Sequence, residues 1–123
     1  FIQQVIAAVG AHPIEMGADE HDRALAFTSH LPFLLASALA LSVPLKFAPL
    51  VGTGFRSTSR LAGTPASIML GILQSNRENI SDALSVFQQQ LSEIQKGLAS
   101  EDFQAIEGSL TQSRAAYQSL LAH

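Results

Sequence analysis

Hydrophobic residues recur at helical spacing along most of this sequence, and the pattern predicts an all-α fold. In one run the apolar residues alternate in steps of four and three, as in the a/d seam of a packed helix. Its members are Ile80, Leu84, Phe87, Leu91, Ile94 and Leu98. A second stripe runs from Phe103 to Leu121. Because about four residues separate the stripes, we expect the last two helices to pack as an antiparallel pair within a helical bundle.

Residues 20–42 are predicted to form one long helix with a kink near its middle. Pro32 lies well inside this helix and has no N–H to continue the hydrogen-bond ladder, so the helix should bend there. Kinks free backbone acceptors, and Ser29 and His30 lie in the turn that Pro32 opens.

The stretch 31–51 is the most hydrophobic part of the chain. Pro32, Pro44, Lys46 and Pro49 interrupt it. The clean apolar run is therefore shorter than the roughly 20 residues that a membrane-spanning helix needs. We expect a buried core helix and no membrane association.

Residues 1–17 have the pattern of the end of an α/β domain. The apolar spacing of residues 1–9 is helical, Gly10 can end that helix, and Pro13 favours an extended segment at residues 12–16. We therefore expect residues 1–17 to be the tail of an N-terminal nucleotide-binding domain that the chain lacks. Residues 18–123 then form the helical domain. The sequence begins with Phe1 and has no signal-peptide pattern.

Composition narrows the classes of partner. The net charge is −3 and the few basic residues are scattered, which argues against nucleic-acid binding. The absence of cysteine excludes disulfides and thiolate metal sites, and it fits a reducing, cytoplasmic location. The four histidines have no metal-ligand spacing, so no metal site is expected.

Arg60 is the strongest candidate for a ligand contact, because a guanidinium can bind a carboxylate through two parallel hydrogen bonds. It follows a segment rich in glycine and hydroxyl residues, 52–59. Its structural alternatives are capping a helix C-terminus or pairing with Glu78. Arg56, four residues earlier, has the same options. His30 is either a ligand contact or a hydrogen-bonded core residue.

Several short motifs occur in an order and spacing that resemble the C-terminal region of prephenate and arogenate dehydrogenases. They are His21-Asp22, Ser29-His30-Leu31-Pro32, Gly54-Phe55-Arg56 with Ser59-Arg60, and Ile72-Leu73 followed by Asn76-Arg77. Each motif is weak alone, but the ordered set is specific and spans nearly the whole chain. In that family an N-terminal Rossmann domain binds NAD or NADP. An all-helical C-terminal domain supplies homodimerisation and one wall of the substrate pocket.

The resemblance implies oxidative decarboxylation of a small molecule, prephenate or arogenate, in tyrosine biosynthesis. A hydride passes from the ring carbon that bears the hydroxyl to the nicotinamide, and the ring carboxylate leaves as CO₂. The family's ring-carboxylate-binding arginine falls on Arg60, and His30 and Ser29 are the further substrate-binding candidates. The family's catalytic histidine and dinucleotide loop have no counterpart here. We therefore expect no catalytic residue in this chain and no turnover by the chain alone.

Three positions depart from the family pattern. Phe33 stands where a second histidine often follows, Ser57 replaces a common acidic residue, and Met69 stands where some members have an aromatic side chain. The choices of prephenate or arogenate, and of NAD or NADP, therefore stay open. The alternative interpretation is a non-catalytic helical association module whose polar residues are only structural.

Overall fold

The structure, a computed structural model, describes residues 1–122. Within them every regular element is helical, as the hydrophobic pattern predicts. The α-helices are α1 (Ile2–Ala8), α2 (Ala18–Leu25), α3 (Leu31–Ser42), α4 (Thr53–Ser59), α5 (Ala66–Ser75), α6 (Arg77–Ala99) and α7 (Phe103–Leu120). A π-helical segment spans Ala26–His30, and 3₁₀ turns span Leu45–Leu50 and Arg60–Gly63. The chain divides into two compact units, Phe1–Ser81 and Asp82–His123, the second described as far as Ala122.

Residues 11–17, between α1 and α2, have no regular secondary structure. The short strand expected at residues 12–16 is not formed within residues 1–122. A strand is held by hydrogen bonds to a neighbouring strand, and these residues supply no such neighbour. One side-chain contact ties the segment to α1, where the amide of Gln3 donates to the carboxylate of Glu15. Several apolar side chains of this region stay exposed: Phe1, Ile2, Val5, Val9 and Ile14.

Residues Ala18–Ser42 form one continuous helix, as predicted, and its middle is π-helical. The N–H of Leu31 donates to the carbonyl oxygen of Ala26, five residues earlier, which defines the wider turn. Pro32 follows directly. Because proline has no N–H, the ladder is interrupted at this point in any case, and the wider turn absorbs the interruption. The irregularity that Pro32 predicts is therefore a π turn.

Helix α3 is the centre of packing in the first unit. It contacts the π segment at its own N-terminal end, and it also contacts α4 and the 3₁₀ turn Arg60–Gly63. The buried apolar side chains of this unit are two alanines and two larger aliphatic residues: Ala26, Ala36, Leu31 and Ile80. Alanines at these positions let neighbouring backbones approach closely. The turn that carries Arg60 is thus held against the helix that begins directly after His30.

A tight turn joins α6 to α7 in the second unit. Helix α6 ends in a Schellman motif, in which the N–H of Asp102 donates to the carbonyl of Gly97 at 2.9 Å and the N–H of Glu101 donates to that of Leu98 at 3.3 Å. Glu101 has a left-handed φ of 56°. The carboxylate of Asp102 caps α7 by accepting from the N–H of Ala105 at 3.1 Å.

Beyond this turn α6 and α7 make little contact within the chain, so the predicted antiparallel pair is not closed along its seam. Ile106 packs beside Gly97 near the turn. The larger apolar side chains farther along both helices stay exposed, including Leu91, Leu98, Phe103, Leu110, Tyr117 and Leu120. The exposed apolar side chains of a heptad seam are stabilised when another apolar surface packs on them. We call these six residues the apolar seam.

The helix Ala18–Ser42 is long and apolar enough to cross a membrane, judged by length and composition alone, with a mean hydropathy of 1.7 over its most apolar window. Core helices of soluble proteins pass the same test, and a single such helix is weak evidence. Within the chain 22% of that window is buried. The expectation of a core helix and no membrane association stays a prediction.

Candidate functional site

His30 is a buried histidine at the last position of the π segment, with 5% of its surface exposed. Ala26, one turn earlier, and Leu31, the next residue, are also buried. The extra residue of a π turn shifts the side chains that follow out of the ordinary helical register, and such turns recur at functional sites. The turn therefore carries an imidazole into a small apolar core, where each ring nitrogen needs a partner or access to solvent.

Asn76 supplies that partner from the junction of α5 and α6. Its Nδ2 lies 2.7 Å from the carbonyl oxygen of Asp22 and 3.4 Å from Nδ1 of His30. Its Oδ1 accepts a hydrogen bond from Nδ2 of Asn79 at 2.8 Å. Asn76 is 8% exposed. We call this group the amide cluster: His30, Asn76, Asn79 and the carbonyl of Asp22.

The main-chain groups of Asn76 are both paired at the junction of α5 and α6. Its N–H donates to the carbonyl of Ile72 and its carbonyl accepts from the N–H of Ile80, both at 3.1 Å. The junction therefore leaves no main-chain group of Asn76 unpaired. Its side-chain amide pairs with groups farther along the chain, the carbonyl of Asp22 and the ring of His30.

Arg60 lies at the start of the 3₁₀ turn and is exposed. In the described part of the chain its guanidinium makes no ion pair and no side-chain hydrogen bond, and the same holds for Arg56. The structural alternative of pairing with Glu78 is therefore not seen in residues 1–122. An exposed guanidinium has five N–H donors to offer to an anion.

The hydroxyl groups just before Arg60 are turned back onto their own helix. Oγ1 of Thr58 donates to the carbonyl of Gly54 at 2.9 Å, and Oγ of Ser59 donates to that of Phe55 at 2.7 Å. These hydroxyls are paired with the backbone and are not partners of the guanidinium. The guanidinium of Arg60 thus stays available to a ligand.

Ser29 is exposed, although its neighbour His30 is buried. The structure places Ser29, His30 and Arg60 in the first compact unit, on elements that contact α3 or lead into it. Across residues 1–122 no hydrogen bond joins any two of the three side chains. Their predicted joint role in binding a substrate therefore stays a prediction.

His21 and Asp22 are in contact, which the helical spacing of neighbours did not predict. Nδ1 of His21 lies 3.3 Å from Oδ1 of Asp22. Both side chains are more than half exposed, at 56% and 58%. An exposed pair at this distance adds little stability. The part of Asp22 that serves the amide cluster is its carbonyl oxygen, not its carboxylate.

A polar cleft of about 250 Å³ opens beside the amide cluster. Asp22 and residues 74–79 line it. Ser29, His30 and Arg60 are not among the lining residues, so the cleft and the predicted substrate contacts are different places. The cleft carries a guanidinium of its own, that of Arg77, so the assignment of the substrate carboxylate to Arg60 rests on the resemblance.

Sequence reasoning missed Asn76 and Asn79 as members of the site. Ser75-Asn76-Arg77-Glu78 has the pattern of a capping box, but Oγ of Ser75 donates to the carbonyl of Ile72 at 3.1 Å instead. A signal for Asn76 was present in its spacing. Leu73, Asn76 and Ile80 are three and four residues apart, so the amide occupies a place in an apolar stripe and is predicted to be buried.

The described residues do not fit a metal or dinucleotide site of their own. Within residues 1–122 no three His, Asp or Glu side chains come together as a metal site needs. Dinucleotides bind at the carboxyl ends of parallel strands, beside a glycine-rich turn, and residues 1–122 form no strand.

Comparison with known proteins identifies the family to which the chain is similar. Residues 17–112 match the family described as the prephenate dehydrogenase dimerization domain. A prephenate dehydrogenase of Lactococcus lactis subsp. cremoris is 29% identical over 128 residues, which cover 99% of this chain and 36% of that protein. The chain thus spans about a third of the length of this relative.

Two solved structures share the fold. The arogenate dehydrogenase of Synechocystis superposes with a TM-score of 0.88 at 20% identity, covering 98% of this chain and 46% of that one. A prephenate dehydrogenase from A. aeolicus, in complex with hydroxyphenyl propionate and NAD+, superposes with a TM-score of 0.82 at 24% identity, covering 97% of this chain and 44% of that one. The all-helical architecture is therefore that of just under half of each of these two solved chains.

Proposed function

The chain belongs to the prephenate dehydrogenase dimerization-domain family, and we propose that it is the C-terminal part of an NAD(P)-dependent prephenate or arogenate dehydrogenase. The observation that carries the proposal is the family match over residues 17–112. The proposed reaction is the oxidative decarboxylation of the substrate ring in cytoplasmic tyrosine biosynthesis. The Lactococcus lactis relative supports it, because that match extends over 99% of this chain.

Arg60 is the proposed contact to the ring carboxylate of the substrate. Its exposure, and the lack of any ion pair to it in the described part of the chain, support this role. Two parallel N–H donors would fix both oxygens of the carboxylate. This two-point contact would fix the position and the tilt of the substrate ring. Holding a substrate in its reactive orientation lowers the activation free energy.

His30 and Ser29 are the proposed polar contacts from the other element. Both belong to the π segment, which leads directly into α3, and α3 packs on the turn that carries Arg60. His30 is buried and contacts Asn76 of the amide cluster through Nδ1. Ser29 is exposed and offers a hydroxyl that can both donate and accept.

A homodimer formed through the helical domain is the proposed assembly. The family description names dimerization, and the apolar seam supports the same role. Leu110, Tyr117 and Leu120 are 59%, 64% and 77% exposed within one chain. Large apolar side chains on two successive helices need a partner surface, and a second copy offers a complementary one.

The dinucleotide and the catalytic histidine are proposed to belong to a preceding domain, of which residues 1–17 are the tail. Two observations support this: the absence of strands from residues 1–122 and the greater length of the relatives. The bound cofactor would accept the hydride. This chain by itself should show no hydride transfer when it is assayed with prephenate or arogenate and either cofactor.

The test of the proposed site is Arg60→Ala in the full-length enzyme. We expect kcat/KM to fall by about 100-fold or more, because a charge-assisted bidentate contact is lost. Arg56→Ala is the matched control, since Arg56 is also exposed and unpaired within the described residues and lies one turn earlier. Arg60→Lys keeps the positive charge but lacks the paired N–H donors of a guanidinium, so its kcat/KM should lie between those of the parent and Arg60→Ala.

The rival interpretation is an association module whose polar residues are structural, and the exposed apolar seam gives it weight. It predicts unchanged kinetics for Arg60→Ala together with altered assembly. Leu91→Asp tests assembly directly, with Gln90→Asp as its control on the same helix. Leu91 is 54% exposed, so the charge should spare the monomer fold and dissociate the dimer in sedimentation.

A further inference from the structure

We infer that Asn76 is a positioning residue that fixes the ring tautomer of His30, so that His30 meets the substrate as an Nε2–H hydrogen-bond donor and not as a base. The role toward the substrate rests on the proposed function. The tautomer itself follows from the hydrogen bonds of the amide cluster, whatever ligand the site binds.

The orientation of the Asn76 amide is fixed by the backbone carbonyl of Asp22. That oxygen, at 2.7 Å, can only accept, so the NH₂ group of Asn76 must face it. On the opposite side, Oδ1 of Asn76 then faces the amide of Asn79 and accepts from its Nδ2 at 2.8 Å. A flipped Asn76 amide would place its oxygen against the carbonyl oxygen of Asp22.

The NH₂ group of Asn76 has two hydrogens, and the second is left for His30. Its Nδ2 lies 3.4 Å from Nδ1 of the ring, so Nδ1 must be the acceptor. A neutral imidazole carries a single N–H, which then resides on Nε2. Asn76 therefore selects the tautomer of His30 in the way that an outer ligand selects that of a metal-bound histidine.

Nε2 of His30 keeps access to the surface. Among the described side chains no buried nitrogen or oxygen lacks a hydrogen-bond partner. No residue in 1–122 pairs with Nε2, so this atom is not fully enclosed. A partly accessible N–H on an otherwise buried ring can donate to an oxygen acceptor of the ligand: a carboxylate, a carbonyl or a hydroxyl.

The same amide braces the π turn at both ends. Asp22 lies just before the segment and His30 is its last residue. The carbonyl oxygen of Asp22 accepts two hydrogen bonds, one from the N–H of Ala26 and one from Nδ2 of Asn76. The contact between Nδ2 and these two groups therefore holds the ring and the turn that carries it as one unit.

The first test is the ¹⁵N spectrum of the histidine rings in the full-length protein, with His30→Gln used to assign the signal. We expect a protonated Nε2 and an unprotonated Nδ1. Asn76→Asp places an acceptor beside Nδ1 and should move the proton to that nitrogen. Asn79→Ala is the matched control, because it removes the outer donor and leaves Nδ2 of Asn76 in place.

The kinetic readout separates the substrate role from a structural one. With the donor at Nε2 lost, Asn76→Asp should raise KM about 10-fold, the usual effect of one buried hydrogen bond. Asn79→Ala, which leaves the carbonyl of Asp22 to orient the amide of Asn76, should raise KM by less than Asn76→Asp does. A fall in kcat at constant KM would instead contradict the role in substrate binding.

Several results would overturn the inference. An Nδ1–H tautomer in the unsubstituted protein refutes it outright, and that measurement needs no variant. A tautomer that survives both Asn76→Asp and Asn76→Ala removes the role of Asn76. If the protein lacks dehydrogenase activity while the tautomer depends on Asn76, the proposed function fails and the positioning role stands.

Discussion

Replacing Gly97 by alanine tests how firmly α7 is held against the end of α6. A Cβ added at this position would lie 2.8 Å from Cγ1 and 3.4 Å from Cδ1 of Ile106. The carbonyl oxygen of Asp102 would be 3.7 Å away, which is ordinary contact. Cγ1 is close to the root of its side chain, so relief requires Ile106 to change rotamer or α7 to shift.

Two opposing terms set the expected magnitude. Alanine is favoured over glycine inside a helix by about 1 kcal/mol. Forcing a methyl group into filled space costs about 1–3 kcal/mol. The overpacking term should win, and Gly97→Ala should destabilise the protein by about 1 kcal/mol. Gly108, inside α7, has no atom within 4 Å of an added Cβ. Gly108→Ala should therefore stabilise the protein by about 1 kcal/mol.

The assay is urea denaturation of both variants and the parent at one protein concentration, because the stability of the proposed dimer would depend on concentration. The double variant Gly97→Ala with Ile106→Ala completes a thermodynamic cycle. Removing the side chain of Ile106 should abolish the penalty at position 97. The reasoning is refuted if Gly97→Ala stabilises the protein as much as Gly108→Ala does, since the contact with Ile106 would then cost nothing.

Three further predictions concern the α6–α7 turn and the buried histidine. Glu101→Gly should raise stability by about 1 kcal/mol, because glycine adopts the left-handed conformation without strain, whereas Glu101→Ala should give no such gain; thermal unfolding measures both. Asp102→Ala should lower stability by about 1 kcal/mol through loss of the N-cap of α7, and Asp102→Asn should restore most of it. His30→Gln, whose amide can still donate near the place of Nε2, should retain more substrate affinity than His30→Leu, and equal KM values for the two variants would contradict the donor role.

The elements that the sequence predicted correctly are those that depend on neighbours along the chain. The periodic stripes of α6 and α7 reflect 3.6 residues per turn, and the irregularity at Pro32 follows from a missing N–H. The form of the irregularity, a π turn, was not predictable in the same way. It depends on which side chain the widened turn brings into the core, and that side chain is His30.

The amide cluster illustrates what local patterns cannot provide. His30 and Asn76 are 46 residues apart, and Asn76 contacts the carbonyl of Asp22 from 54 residues away. The capping-box pattern at Ser75 predicted a local use for this segment. The tertiary contact won because a buried imidazole and a buried amide each lose more when left unpaired than a helix end gains from one cap.

The apolar seam marks a different limit. A heptad stripe predicts that a helix face will be covered by another surface. It does not distinguish an antiparallel neighbour within the chain from a second copy of the chain. Here the turn at Glu101 and Asp102 brings α6 and α7 together beside Gly97 and Ile106, and in the described part of the chain the two helices make little further contact. The exposed faces that result are the reason to look for the partner outside the chain.

The candidate recognition residues and the apolar seam also fall in different compact units. Arg60, His30 and Asn76 belong to residues 1–81, whereas the seam from Leu91 onward belongs to the second unit. Because the two sets lie in separate compact units, we expect their effects on stability to add. A domain that combines substrate recognition with dimerisation should therefore yield two separable classes of variant. Arg60 variants should lose affinity as dimers, whereas Leu91 variants should lose the dimer while the amide cluster keeps the tautomer of His30.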